Sequence, residues 1–165
     1  MQKNERFTLL VSYFESIAIT HRQILHRPDK KHFYRFELDE VLTGINGINY
    51  PALIMEGYRF GFSDGQSDNV QKKREGAFIL LDHVNDAGDY RRIHEVWDNL
   101  EVIGDDIIRR IRKDKRTSAN PVAGFNIESV KASLIATEMG NHYGIRFLFE
   151  IDSKFSTDEI AENWI

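Results

Sequence analysis

A chain of 165 residues, of which 41% are hydrophobic and 12% aromatic, is long enough to bury a substantial core, so disorder is excluded for most of it. The formal net charge of -4 argues weakly against a dedicated nucleic-acid binder, whose contact face is usually basic. Because the chain contains no cysteine, disulfides, thiolate catalysis and cysteine-ligated metal sites are excluded as well.

The first predicted element is an amphipathic helix over residues 4–27, which Pro28 ends. Spacings of three and four residues place one apolar stripe on this helix: Phe7, Leu10, Val11, Phe14, Ile17, Ala18, Ile24 and Leu25. The apolar run at its start is interrupted by Ser12 and followed by Glu15. It therefore predicts neither a signal peptide nor a membrane span, and we expect cytoplasmic residence.

The next segment contains several short patterns. The run "HFYRFEL" alternates like a strand or an extended arm, and "LDEVLTGI" fits a single helical turn capped by Asp39. Asn46 and Gly47 predict a turn that accepts a positive φ. The run "PALIMEGYRFGF" then predicts one strand rich in apolar and aromatic residues.

Residues 63–75 are polar from end to end and lie between two strand-like runs, which predicts a long hairpin tip or a loop. This segment is the best candidate for an interface loop. Its candidate residues are Asp64, Gln66, Asp68, Asn69, Gln71, Lys72, Lys73 and Arg74. The run "GAFILLDHV" that follows has the length and apolar character of a buried strand.

A second, longer helix is predicted from about Asp86 to Lys115. Asn85 or Asp86 is expected to cap its first amide groups, while Asp89 complements the positive end of the helix dipole. Basic residues crowd the other end, which suits a solvated helix terminus better than a phosphate-binding patch. One face of this helix is apolar: Ile93, Val96, Trp97, Leu100, Ile103, Ile107 and Ile111.

The last third of the chain predicts an antiparallel strand pair, with Gly140 and Asn141 in the hairpin turn between the strands. Ser156, followed three residues later by Glu159, has the capping-box pattern, so a short C-terminal helix or arm is expected over 156–165. The elements together predict one α+β domain over 1–165. Its sheet is mainly antiparallel, with an N-terminal helix and a long central helix packed on it.

The densest cluster of chemically active groups lies between residues 79 and 97. A metal or acid–base site here would use Asp82, His83 and Asp86, with His94 further along. The competing interpretation is structural: a strand runs into a helix at this point, and carboxylates at such a junction cap free amide groups. The residue types favour capping.

A second set of histidines, His21, His26 and His32, has poor spacing for a metal. The five-residue offset puts the first two about 140° apart on a helix, and no HExxH motif is present. We therefore predict that His21 is partly buried and structural, and that His142 is a surface residue of the hairpin turn. Glycine-rich phosphate loops and a GxSxG nucleophile motif are also absent from the sequence.

In element order the chain resembles the tail-terminator and tail-completion proteins of long-tailed bacteriophages, which are small α+β proteins of similar length. The resemblance is one of layout and covers most of the chain. The segments that carry it are "FTLLVSYFESIAITHRQIL", "YPALIMEGYRF", "GAFILLDHV", "IHEVWDNLEVIGDDIIRRI", "FNIESVKASLI" and "YGIRFLFEI".

This resemblance implies a structural virion protein with no catalysis and no cofactor. Such a protein forms a ring, usually a hexamer, at the neck end of a phage or prophage tail tube, as a tail terminator or connector. Its partners are copies of itself, the tail-tube protein and the head-connector protein, while DNA only passes through the lumen and no membrane is involved. It is assembled in the cytoplasm of the bacterial host and resides in the virion.

Two other functions remain open at this point. The first is a metal-dependent hydrolase or nuclease that uses Asp82, His83 and Asp86. The second is a small ligand-binding α+β module with a pocket between the sheet and the N-terminal helix.

Overall fold

The computed structural model describes residues 6–35, 38, 41–42, 47–65, 69–117, 121–137 and 140–164. Its two long helices are α1, Phe7–Thr20, and α2, Tyr90–Asp114. One sheet contains six strands: β1, Phe33–Tyr34; β2, Ala52–Met55; β3, Arg59–Ser63; β4, Gln71–His83; β5, Phe125–Ala136; and β6, His142–Lys154. A single turn of 3₁₀ helix, Ala161–Asn163, lies close to the C-terminus.

The sheet has the order β1-β2-β4-β6-β5, and β3 pairs with the part of β4 that β2 leaves open. All of these strand pairs are antiparallel except β1 with β2. The predicted α+β fold, a mainly antiparallel sheet that carries an N-terminal helix and a long central helix, is therefore confirmed. The predicted strand "HFYRFEL" is reduced to β1, and residues 36–37 lie outside the described ranges.

One face of the sheet carries both helices, and the residues buried there form the helix-side core. Phe78 of β4 lies at its centre, with its ring stacked on Phe147 at 4.8 Å and next to Phe14 of α1 at 5.4 Å. The predicted apolar face of α2 is confirmed, since all of its members are buried here except Trp97, which is half-buried and packs against the core.

The opposite, outer face of the sheet is covered over β2 and the end of β4. Buried residues on this side include Ile54, Ile79 and Leu81, against which Leu38 and Leu42 pack. This second layer explains why "FILL" is apolar without alternation, because the strand is buried on both faces. Leu38, Val41 and Leu42 have helical backbone, whereas the predicted cap Asp39 lies outside the described residues.

Helix α1 ends at Thr20, seven residues before the predicted end. His21 leaves the helix with extended backbone, and its N–H still donates to the carbonyl of Ile17. Leu25 then adopts a left-handed conformation with φ of 51°, and the N–H of His26 donates to the carbonyl of Ala18. Ile24 stays buried through this turn although it is no longer helical, so the apolar spacing continued past the true end of the helix.

The predicted cap of the long helix is wrong by one turn. Helix α2 begins at Tyr90, and the Asp89 carboxylate accepts a hydrogen bond from the N–H of Arg92 at 3.0 Å. Asp86 instead accepts from the N–H of Gly88 at 2.8 Å and closes the turn before the helix. Asp86 and Asp89 are both suitable N-cap residues by type. Because the turn at residues 86–88 comes before the helix, Asp89 takes the cap position.

The segment predicted as one strand, "PALIMEGYRFGF", is divided into β2 and β3. The N–H of Glu56 still bonds to the carbonyl of Ala77, and Arg59 resumes pairing opposite Glu75. Gly57 and Tyr58 therefore stand opposite the single residue Gly76, which is the arrangement of a β-bulge.

The predicted hairpin turn between β5 and β6 and the predicted positive φ at Gly47 are confirmed, whereas the predicted C-terminal cap is wrong. Gly140 and Asn141 have φ of 80° and 51° in the hairpin between β5 and β6, and Gly47 has φ of 80°, while Asn46 lies outside the described residues. Ser156 bonds to Asp158 rather than capping a helix, and the 3₁₀ turn begins only at Ala161. Residues 156–160 have no regular secondary structure, and we call residues 155–164 the C-terminal arm.

Candidate functional site

The two carboxylates of the predicted metal or acid–base site accept hydrogen bonds from nearby backbone. The Asp82 carboxylate accepts from the N–H of His83 at 2.7 Å, and Asp86 is engaged in its own turn. His94 lies on α2, where its ring stacks on Trp97 at 6.1 Å. Within the ranges that the structure describes, no three side chains of His, Asp or Glu are gathered as metal ligands.

A cluster that the sequence did not indicate lies at the same end of the sheet. His142 is directly opposite His83 in the β4–β6 pair, with ring centroids 5.4 Å apart. The Tyr50 hydroxyl lies 2.6 Å from Nε2 of His142. Burial raises the pKa of the Tyr50 hydroxyl, and Tyr34 and Asp82 raise it further, so Tyr50 is suited to donate this hydrogen bond. His142 is half-buried and engaged, not the surface residue predicted.

The three N-terminal histidines have separate structural roles. His21 is half-buried, as predicted, with Nε2 at 3.7 Å from a carboxylate oxygen of Asp106 on α2. Nδ1 of His32 lies 2.9 Å from the carbonyl oxygen of Pro51. Nδ1 of His26 accepts from the N–H groups of His32 and Phe33, at 3.0 and 3.2 Å. His26 therefore holds the start of β1 against the end of α1.

We expect His26 to make the free energy of unfolding depend on pH. Burial lowers the pKa of His26 from the ordinary value of 6.5, against the opposing effect of Glu15, and protonation of Nδ1 would remove the acceptor for two backbone amides. The unfolded chain then binds more protons than the folded chain just below pH 6.5, so the free energy of unfolding is expected to fall as pH decreases through this range.

Urea unfolding of the wild type and His26→Asn at pH 8 and pH 5.5 measures this effect. The asparagine oxygen can accept the same amide hydrogens but does not titrate, so the variant should lose less stability on acidification. His94→Asn, at an exposed position of α2, is the matched control and should follow the wild type. Equal pH dependence in all three proteins would refute the role of His26.

The predicted interface segment is a hairpin in which β3 and β4 pair from Arg59 with Glu75 to Ser63 with Gln71. Gln71, Lys72, Lys73 and Arg74 therefore belong to β4 and not to a loop. Asp64 and Asn69 are exposed in the hairpin tip, and Gln66 and Asp68 lie outside the described residues. The basic side chains of the predicted interface segment therefore project from a strand and not from a loop.

Strand β3 is exposed along its whole length. Phe60 and Phe62 are 58% and 55% exposed, which is unusual for two large apolar side chains on one short strand. β3 pairs with β4 along one edge, and none of the strands in the described part of the chain pairs with its other edge.

The two phenylalanines point to the same side of the sheet as the helices. Phe60 is directly opposite Arg74, which is opposite Ile151 on the other side of β4. Ile151 belongs to the helix-side core, and residues directly opposite in a sheet share a face. Phe60 and Phe62 therefore lie on the same face of the sheet as the two helices, in a part of that face that the helices leave exposed.

A row of aromatic rings runs along this surface, which we call the aromatic row. Consecutive ring centroids are 5.3, 6.4, 6.3 and 4.8 Å apart, in the order Phe7, Tyr58, Phe60, Phe62 and Phe155. The Lys72 ammonium lies 4.2 Å from the centre of the Phe60 ring, a cation–π contact. Arg74, almost fully buried, donates from its guanidinium to the Ser153 hydroxyl at 2.9 Å.

A groove of about 870 Å³ lies between this hairpin and the residues that follow β6. Three basic residues line it, Arg6, Lys72 and Arg74, together with residues of the C-terminal arm that include the acidic Asp158 and Glu159 and the apolar Phe155, Ile160 and Trp164. The space between α1 and the sheet is filled instead, since Phe14 and Phe78 are fully buried there. These two rings pack 5.4 Å apart in the region where the ligand-binding alternative places its pocket.

The outer face carries a second, polar groove lined by an ion pair. Glu56, 7% exposed, accepts from Nε of Arg146 at 2.7 Å, and the Arg146 side chain is 40% exposed. Lys73 and Glu150 form a longer pair nearby, at 3.9 Å. The charged side chains named here are thus paired with one another on the outer face. The groove beside the aromatic row differs, because large apolar side chains there are exposed to solvent.

Comparison of the chain with models of protein families and with curated proteins finds no match. The part of the chain that the structure describes has no helix of sufficient length and apolar character to cross a bilayer.

Proposed function

We propose that the protein is a structural assembly protein whose copies bind one another through β3 and the aromatic row. The assembled form is a ring at the neck end of a phage or prophage tail tube, where it acts as a tail terminator or connector. The observation that carries this proposal is the exposed edge of β3 with Phe60 and Phe62 at its centre.

Edge strands of monomeric proteins are normally protected by charges, prolines or covering loops. Apart from Arg59 at its start, β3 has neither a charged residue nor a proline, and its two phenylalanines remain half exposed. Burying the exposed half of each ring in a contact between copies would stabilise it by about 1–2 kcal/mol per ring. An edge of this kind supports association with another chain.

The layout of the elements supports a ring at a tail tube more than a simple dimer. When one surface of each copy binds a different surface of the next copy, the same contact can repeat from copy to copy. If the rotation between neighbouring copies closes after a whole turn, the result is a ring such as a hexamer. The proposed partners are other copies, the tail-tube protein and the head-connector protein, with DNA passing through the lumen. This role requires no catalysis and no cofactor.

The oligomeric mass of the purified chain in solution tests the proposal. Native mass spectrometry and sedimentation are expected to give a ring, with a hexamer as the expected size. The double variant Phe60→Ser/Phe62→Ser should give monomers, because it removes the apolar part of the edge without changing the charge. Tyr90→Ser, which removes an exposed ring from α2, is the matched control and should keep the ring.

A chain that stayed monomeric at high concentration and failed to bind tail-tube protein would contradict the proposal. Tightly bound metal, with nuclease activity that Asp82→Ala and His83→Ala abolish, would favour the hydrolase instead.

A further inference from the structure

We propose that the C-terminal arm is a strap that closes over the aromatic row of its own chain and competes there with a neighbouring copy. This inference rests on the proposed function, because it adds a control on the surface through which the copies bind one another. The strap covers the row before assembly, and a second copy has to displace it. The arm therefore raises the protein concentration that assembly requires.

The arm begins on the aromatic row itself. The ring of Phe155 packs on Phe62 with centroids 4.8 Å apart, and the N–H of Phe155 donates to the carbonyl of Val70 at 2.9 Å. Within the described residues, the hydrogen bonds of residues 156–164 join residues of the arm only to one another. The base of the arm is thus fixed beside the hairpin, whereas the remainder can move without breaking a hydrogen bond to the sheet.

The arm is long enough to follow the whole row. Neighbouring rings of the row are at most 6.4 Å apart over the four steps from Phe155 to Phe7. The eight residues from Phe155 to Asn163 reach about 26 Å in extended form, which matches those four steps. Asn163 and Arg6, which precedes Phe7, line the same groove. The arm therefore runs beside the row toward its opposite end.

The charges in the groove attract the arm to the hairpin of its own chain. Asp158 and Glu159 of the arm line the groove together with Lys72 and Arg74 of β4 and with Arg6. Residues 155–164 include no lysine or arginine, so the arm brings no like charge to these basic side chains. Opposite charges at such short range attract one another, and closure that excludes water would strengthen the attraction.

Closure would also bury apolar surface on both sides. Phe60 and Phe62 are 58% and 55% exposed, while Ile160 and Trp164 of the arm are 48% and 71% exposed. Exposed apolar surfaces that face each other associate because both leave water. The same two phenylalanines lie at the centre of the proposed contact between copies. A closed strap and a neighbouring copy therefore cannot occupy them together.

A disulfide that holds the strap closed tests this competition, because the native chain has no cysteine. The variant Arg6→Cys/Asn163→Cys, oxidised at high dilution, is expected to form the bond within one chain. The oxidised protein should then require about tenfold more protein to form rings than the same protein after reduction. Glu101→Cys/Asn163→Cys is the control, since Glu101 lies on the exposed side of α2 outside the groove. It should form no bond within the chain.

Weakening the strap should have the opposite effect. Ile160→Ser/Trp164→Ser keeps the arm and its charges, whereas a chain that ends at Phe155 keeps only the anchor. An arm closed in about nine of ten free chains leaves one in ten able to bind a neighbour, so both variants should form rings at about tenfold lower concentration than the wild type. Sedimentation over a dilution series measures this concentration.

The outcomes separate the strap from the proposed function. The strap would be overturned if the oxidised protein gave no bond within the chain, or if it formed rings at the same concentration as the reduced protein. Arm variants that required as much protein as the wild type, or more, would overturn it too. The proposed function would stand in each of these cases as long as rings form. Wild type and variants that stayed monomeric at every concentration would overturn both.

Discussion

Replacing Phe78 by alanine is expected to lower the free energy of unfolding by about 3–5 kcal/mol. The Phe78 side chain is fully buried between α1 and the sheet and contacts three other rings, those of Phe14, Phe147 and Phe149. The substitution removes these contacts and leaves a cavity that the fixed strand backbone cannot close. A loss of this size is a large part of the total stability of a typical domain.

Urea unfolding followed by circular dichroism measures this change. Tyr90→Ala removes an aromatic ring of similar size from the exposed start of α2 and is the matched control, with an expected change within about 0.5 kcal/mol. If the two variants had equal stability, Phe78 would not be at the centre of the core and the placement of α1 on the sheet would be wrong.

Replacing Arg146 by methionine is expected to cost about 2 kcal/mol, because it leaves the buried carboxylate of Glu56 without its charged partner. The cost is below that of breaking a fully buried pair, about 3–5 kcal/mol, since solvent reaches the 40% exposed Arg146 side chain. Methionine keeps most of the aliphatic contact, so the change reports mainly on the charge.

The double variant Glu56→Gln/Arg146→Met completes the measurement. Removing the carboxylate charge should restore more than half of the lost stability, which identifies the unpaired charge as the cause. Arg91→Met breaks the pair with Glu95 on the exposed surface of α2 and should change stability by less than about 0.5 kcal/mol. A loss as large for Arg91→Met as for Arg146→Met would show that burial of Glu56 is not responsible.

The parts of the fold that could be predicted from sequence are those set by local periodicity. The apolar face of α2 repeats over about five turns, so the sequence predicts it despite Gly104, whose missing side chain admits the Phe147 ring. The hairpin glycine and asparagine at 140 and 141 were found because their positive φ restricts the residue type.

The parts that were missed depend on pairing between distant segments. His83 and His142 meet through the register of β4 and β6, and Tyr50, two residues before β2, reaches them through the pairing of β2 with β4, so no local pattern contains this cluster. The end of α1 was missed because Ile24 is buried in a turn at a spacing that also fits a helix. The sequence indicates the hairpin only as a polar segment, because the exposure of Phe60 and Phe62 depends on the pairing of β3 with β4.

The bulge at Gly57 and Tyr58 decides which chemistry the hairpin presents beside the arm. Side chains of a strand alternate between faces, so one additional residue reverses the phase of everything after it. Without it, Phe60 and Phe62 would share the outer face with Glu56 and Arg146, and Arg59, Gly61 and Ser63 would face the groove. A single additional residue thus places the two exposed phenylalanines, instead of polar side chains, on the helix side of the hairpin without altering any side chain.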